Sequence, residues 1–125
     1  MPLALVPAEG IMLLAVPEFQ GRVSPTFDFC HRVALWKLDD RGFRCAGHKR
    51  CRDLGPRERA SRLQAMGVEV LLCGAIGQDL EEDIRVRGIT VVSGIAGEVA
   101  EVVAAYRCQA LNEPRFRMPG VPADG

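Results

Sequence analysis

The sequence predicts an α/β protein with a three-layer α/β/α sandwich architecture, on three observations. Short apolar runs such as IMLLAV and VEVLLC are too brief for helices and read as strands buried on both faces. The later runs alternate with stretches of helical periodicity, each bracketed by glycine or proline. The earlier runs are joined by turn-forming residues instead, so an antiparallel meander should precede parallel crossovers with helices on both sheet faces.

Taken in order, Ile11 to Val16 forms the first strand, stopped by Pro17. Arg32 to Leu38 follows as the second and ends at the turn Asp39-Asp40-Arg41-Gly42, from which Gly42 to Ala46 returns as the third. Pro56 opens an amphipathic helix through Ala60, Leu63 and Met66 that Gly67 closes. VEVLLC is the next strand. GAIGQDLEEDIRVRG supplies a glycine turn, an acidic first turn suited to the helix dipole, and a closing Gly88. ITVVS is the fifth strand, and EVAEVVAAY repeats apolar residues at helical spacing for the third helix. The expected sheet is therefore mixed and five-stranded with three helices. Residues 1–10 read as an N-terminal extension, 11–108 as a single α/β domain and 109–125 as an irregular tail over the surface.

If the first strand lies centrally, chain direction reverses beside it, and ligands favour the sheet edge at such a reversal. Three loops should meet there, Pro17 to His31, Cys73 to Gln78 and Ser93 to Gly97. The first is longer than most connections, and it combines a Ser-Pro turn with the adjacent pair Cys30-His31.

Composition bounds what such a site could serve. A chain of 125 residues is one domain and buries roughly two-thirds of its unfolded surface without needing a disulfide. Sixteen basic and sixteen acidic residues cancel, which argues against a whole-surface nucleic-acid or membrane binder. The charges are unevenly spread, however: Arg41, Arg44, Lys49, Arg50, Arg52, Arg57, Arg59 and Arg62 face only Asp53 and Glu58. Arg57, Arg59 and Arg62 have a helical setting and suit a solvated helix face. No apolar stretch approaches the ~20 residues that span a bilayer, and MPLALVPAEG lacks the basic start of a secretory signal, so a cytoplasmic location is expected. The five cysteines should then be thiols, either buried or bound to metal. Cys73 and Cys108 suit packing.

Cys45, His48 and Cys51 form C-x-x-H-x-x-C in the basic stretch FRCAGHKRCRDLG. A closed zinc site needs four donors, so Cys30 or His31 would have to complete it; otherwise Cys45 and Cys51 are reactive surface thiols among arginines. Gly74 and Gly77, with Ile76 between them, and Gly94 and Gly97 precede helix starts, where free N–H groups attract anions. Glycine equally suits such positions by permitting a tight strand-to-helix turn. A nuclease would need carboxylates clustered at strand ends, and the central runs offer only Glu69, at the wrong end. There is no G-x-S-x-G elbow, P-loop or H-E-x-x-H helix, so no enzyme class gains a positive signal.

The segments VPEFQGRVSPTF, GVEVLLCGAIGQDL, GITVVSGIAGEVAEVVAAY and the closing FRMPG, in that order, resemble the family of dinitrogenase iron-molybdenum cofactor biosynthesis proteins. The likeness runs from Ile11 to Gly120. It implies a ribonuclease H-like fold and a small non-catalytic protein that binds, carries or inserts an iron-sulfur or molybdenum-containing cluster, exchanging it with a donor or acceptor protein. It also implies a His-Phe-Gly triplet after the Ser-Pro turn at Ser24, with its histidine holding the cofactor. The matching triplet here is Thr26-Phe27-Asp28, so that histidine is absent, and Cys30 and His31 are the expected replacement ligands. The bland alternative packs Cys30 in the core and leaves His31 in solvent. The rival to a cluster carrier is a redox- or zinc-responsive interaction module built on Cys45, His48 and Cys51, ordering a basic surface for a protein or nucleic-acid partner.

Overall fold

The computed structural model describes residues 10–119. Along the chain run β1 (Met12–Phe19), β2 (Arg22–Val23), β3 (Arg32–Asp39), β4 (Gly42–Arg50), α1 (Pro56–Ala65), β5 (Val70–Leu72), α2 (Gln78–Val86), β6 (Thr90–Val92), α3 (Val99–Arg107) and a short 3-10 turn at Pro114–Phe116. The main sheet has the order β4-β3-β1-β5-β6. β1 is its centre, antiparallel to β3 on one side and parallel to β5 on the other. The chain therefore reverses beside β1, and the ends of β1, β4, β5 and β6 share one edge with the start of β3.

Burial on both faces explains the unbroken apolar run of β1. Ala15 joins Val33, Leu35, Leu71, Leu63 and Ile84 in one core layer under α1 and α2. Leu14 and Val16 join Ala34, Leu38, Leu72, Val102 and Val103 in the other, under α3. Each fully buried aliphatic side chain contributes about 1.5–3 kcal/mol of transfer free energy, so two such layers outweigh the weak intrinsic preferences of the short strands. The three layers are those the sequence predicts.

Two boundaries differ from expectation. Pro17 does not stop β1: the strand continues to Phe19 and turns back through Gln20 (φ 52) and Gly21 (φ 82) into β2. Both turn residues have positive φ, the geometry that matches strand twist in a two-residue hairpin. Proline is tolerated because its carbonyl, on the same side as its missing N–H, faces the hairpin, where it accepts from Ser24 N at 2.8 Å. β4 is also longer than predicted and reaches Arg50, with an irregularity opposite Leu35 and Trp36 that leaves Ala46 unpaired. Nearly every residue of β4 is exposed, because the helices cover only the other strands.

The C-terminal segment does more than cross the surface. Phe116 is buried in the α3-side layer, Ala96 N donates to Phe116 O at 2.8 Å, and Met118 N donates to Gly94 O at 3.0 Å. Cys108, expected to pack, is exposed, whereas Cys73 is fully buried and its thiol is pushed up to about 12 by desolvation. The expected N-terminal extension lies outside the described residues, apart from residue 10. No helix among the described residues is long and apolar enough to cross a membrane.

Candidate functional site

The loops at the shared edge are stitched to one another by their backbones. Phe27 N donates to Ala75 O and Ala75 N to Pro25 O, Gly94 N to Gly74 O and Ile95 N to Cys73 O, and Val23 N to Gly97 O. The Ser-Pro turn is closed locally, with Ser24 Oγ on Thr26 O at 3.3 Å and Asp28 N on Thr26 Oγ1 at 3.2 Å. Its Asp28 reaches across to α2, where Oδ1 accepts Gly77 N at 2.9 Å. A carboxylate from the chain itself thus occupies the positive end of that helix.

This accounts for the glycines in structural terms. A Cβ on Gly74 would stand 2.6 Å from Pro25 O and 2.8 Å from Ser24 O, both backbone atoms that cannot step aside. One on Gly77 would meet Asp28 Oδ2 at 2.8 Å. Ile76 packs against the α1/α2-side core. The N–H groups of Gly77 and Gly94 are spent within the protein, which is the tight-turn alternative rather than an open anion cradle.

The five predicted metal ligands do not gather at one place: Cys30 meets Cys51 in the core, His31 and His48 border one surface hollow, and Cys45 stands apart. The physical reason is that C-x-x-H-x-x-C lies on and just past a strand, not in a loop. Cys45 and His48 pair with Trp36 and Ala34, whose side chains belong to the α3 side, while Cys51 is buried in the α1/α2-side layer. Cys45 is exposed. Cys30 is buried and His31 exposed, as in the bland alternative. Among the described residues no three His, Cys, Asp or Glu side chains are arranged to hold a metal ion, so the five-residue ligand set and its zinc variant are not assembled.

Two groupings do form. His31 and His48 come together with Arg32, Arg50 and Arg52 around an open hollow of about 430 Å³ at the ends of β3 and β4. That volume is within the range of small-molecule sites. Glu18 is buried behind two of these residues, 2.7 Å from Arg32 Nε and 3.4 Å from His48 Nε2, and its Oε2 accepts Gly21 N at 2.6 Å. Burial alone would raise its carboxyl pKa, but these donors and the charges of Arg32 and His48 outweigh that and hold it below the usual range. A lowered folded-state pKa means stability present above the unfolded value of about 4.5 and lost as pH falls through the folded one. Glu18→Gln should cost roughly 1–3 kcal/mol near neutrality, the gap to the parent closing in acid. Urea denaturation over a pH series measures it, and a gap that widened in acid would refute the assignment.

The second grouping brings Cys30 to Cys51, as a completed zinc set would have required, but around an arginine expected elsewhere. Arg59, expected on a solvated helix face, is only 4% exposed. Its Nη1 donates to Cys30 O at 2.9 Å and Phe27 O at 3.1 Å and lies 3.3 Å from the sulfurs of both Cys30 and Cys51; its Nε donates to Leu54 O at 3.0 Å. The two sulfurs are 3.4 Å apart. Among the described residues no carboxylate pairs with this guanidinium. The hydrogen bond from Cys30 and the adjacent cation overcome burial and bring Cys51 down to about 7, while Cys30, giving up its hydrogen bond to Cys51 only at a cost and buried besides, is held above the ordinary thiol range. One clue was present: Arg59 precedes Ala60 and falls four residues before Leu63, toward the buried stripe of α1.

The comparisons agree with this architecture. The family model described as dinitrogenase iron-molybdenum cofactor matches residues 10–109. The crystal structure of PH0822 is similar at a TM-score of 0.69 and 22% identity, covering 76% of this chain and 89% of that one. The apo form of the orange protein from Desulfovibrio gigas is similar at 0.63 and 21% identity, covering 92% and 98%. The protein MJ0327 from Methanocaldococcus jannaschii follows at 0.61 and 14%, covering 89% and 97%. At these identities the likeness to solved structures speaks for the fold. No curated protein matches the sequence.

Proposed function

This chain belongs to the dinitrogenase iron-molybdenum cofactor family, and from that membership we propose that it binds and carries an anionic iron-sulfur or molybdenum-containing cluster in the basic hollow. The observation that carries the reading is the convergence of His31, Arg32, His48, Arg50 and Arg52 on one concavity, with Glu18 paired to two of them, Arg32 and His48. Sulfide-rich clusters are usually anionic, so guanidinium groups hold them by charge and by forked N–H donors. Two imidazoles add nitrogen ligands for iron. The chain acts as carrier rather than catalyst. Cys30 and Cys51 are turned into the core and take no part in holding the cargo.

Loading and unloading require a donor or acceptor protein to meet this edge. Phe19 and Phe29, 57% and 78% exposed, stand at or beside the loops that form it and offer apolar surface to such a partner.

The test is anaerobic incubation of the full chain with tetrathiomolybdate, and separately with ferrous iron and sulfide, followed by elemental analysis and visible absorbance. Near-stoichiometric metal is expected. Arg50→Ala with Arg52→Ala should weaken binding by about tenfold or more for each charge-assisted hydrogen bond to the cargo that is removed, at about 1.5–3 kcal/mol apiece. A folded chain that takes up no metal from either source defeats the carrier reading. Binding untouched by the arginine changes moves the cargo out of the hollow.

A further inference from the structure

We propose that Cys30 and Cys51 are a peroxide-responsive disulfide pair set beneath the hollow. Their sulfurs already lie 3.4 Å apart, so closing to a bond of about 2.05 Å needs little backbone movement. Cys51 N donates to His31 O at 2.8 Å just past the β3–β4 ladder, which holds the two segments at this separation. No other described cysteine contacts either sulfur.

Arg59 gives the pair its chemistry. A buried guanidinium needs a negative partner, and the two sulfurs within 3.3 Å are the groups beside it that can become anionic. Of the two, Cys51 borders a cavity beside α1 and is the sulfur that a peroxide reaches, and Cys30 in contact with it resolves the product. This cavity, of only about 10 Å³, lies between the end of β4 and α1 and is lined by Cys51, itself 7% exposed, with Phe27, Leu54, Arg59, Leu63 and Met66. It suits an oxidant as small as a hydroperoxide better than a bulky disulfide.

The step balances. The Cys51 sulfur attacks one oxygen of hydrogen peroxide, the O–O bond breaks, and Cys51 becomes a sulfenic acid as hydroxide leaves. The Cys30 sulfur then attacks the Cys51 sulfur, the S–O bond breaks, and water departs with the Cys30 proton. The two cysteines lose two electrons, and the peroxide is reduced to two waters once the hydroxide regains a proton.

Placement gives the pair a route to the site above it. Cys30 immediately precedes His31, and Cys51 sits between Arg50 and Arg52. None of this depends on a cluster being the cargo, so the pair and the carrier reading stand or fall separately.

The experiment uses the full chain carrying Cys45→Ser and Cys108→Ser, which removes the two exposed thiols. It is treated with near-stoichiometric hydrogen peroxide, then digested without reduction for peptide mapping. A Cys30–Cys51 linked peptide, lost on treatment with dithiothreitol, is expected in most of the protein, with Cys73 unmodified. Adding Cys30→Ser should replace the link by a Cys51 sulfenic acid that dimedone traps. Both thiols surviving while the chain stays folded, or oxidation going to Cys73 instead, overturns the proposal. Mapping on the chain that retains both cysteines decides the matter even if Cys30→Ser fails to fold.

Discussion

Arg59→Leu should destabilise the protein by about 3–5 kcal/mol, a large share of the ~5–15 kcal/mol that holds a domain of this size together. Leucine fills much of the space but donates nothing, so Leu54 O would lose its Arg59 donor and Phe27 O and Cys30 O would keep only the long contacts from Cys30 N and Cys51 Sγ, both 3.4 Å, in a setting where an unmet carbonyl costs about 1–3 kcal/mol. Those three carbonyls belong to the loop before β3 and to the entry of α1, so the damage is concentrated where the chain arrives at the hollow. Arg59→Lys should fall between, because an ammonium keeps the charge but cannot span acceptors on two sides. Urea titration followed by circular dichroism reads the loss. A change below about 1 kcal/mol would mean that the guanidinium is not the tie described.

Phe116→Ala should cost a similar amount, about 3–5 kcal/mol, as for other buried aromatic truncations. The ring fills the α3-side layer against Gly97, where an added Cβ would already stand 3.4 Å from it. Amide hydrogen exchange adds a local signature: the Ala96 and Met118 amides, bonded to Phe116 O and Gly94 O, should lose protection before those of β1 and β5. Parent-like stability with those amides still protected would show that the C-terminal segment is held by something else.

The layered fold was legible because burial leaves a mark on sequence. A strand covered on both faces must be apolar at every position, so IMLLAV and VEVLLC announced themselves, and the glycines at 67 and 88 closed helices where their positive φ is needed. The site was legible only as composition. That His31, His48 and the arginines near them would meet was foreseeable from a central first strand, yet which of them would meet depended on where β4 ended. Four further residues of strand turned an apparent ligand loop into a paired ladder: the irregularity at Ala46 leaves Cys45 and His48 on one side, and Cys51, just past the strand, turns to the other. Arg59 was harder still. A charged residue is read as solvent-facing unless its partners are known, and those partners are carbonyls and sulfurs contributed by segments distant in the chain.

The exposure of β4 bears on how copies of this chain treat one another. Its outer side offers unmatched backbone groups along nine residues, the kind of rim on which a neighbouring molecule could extend the sheet. Arg44, Lys49 and Arg50 line that rim and Ala46 interrupts its regularity, so an approaching twin meets like charge and a broken register. Positive charge along this rim therefore works against edge-to-edge pairing of two copies through β4.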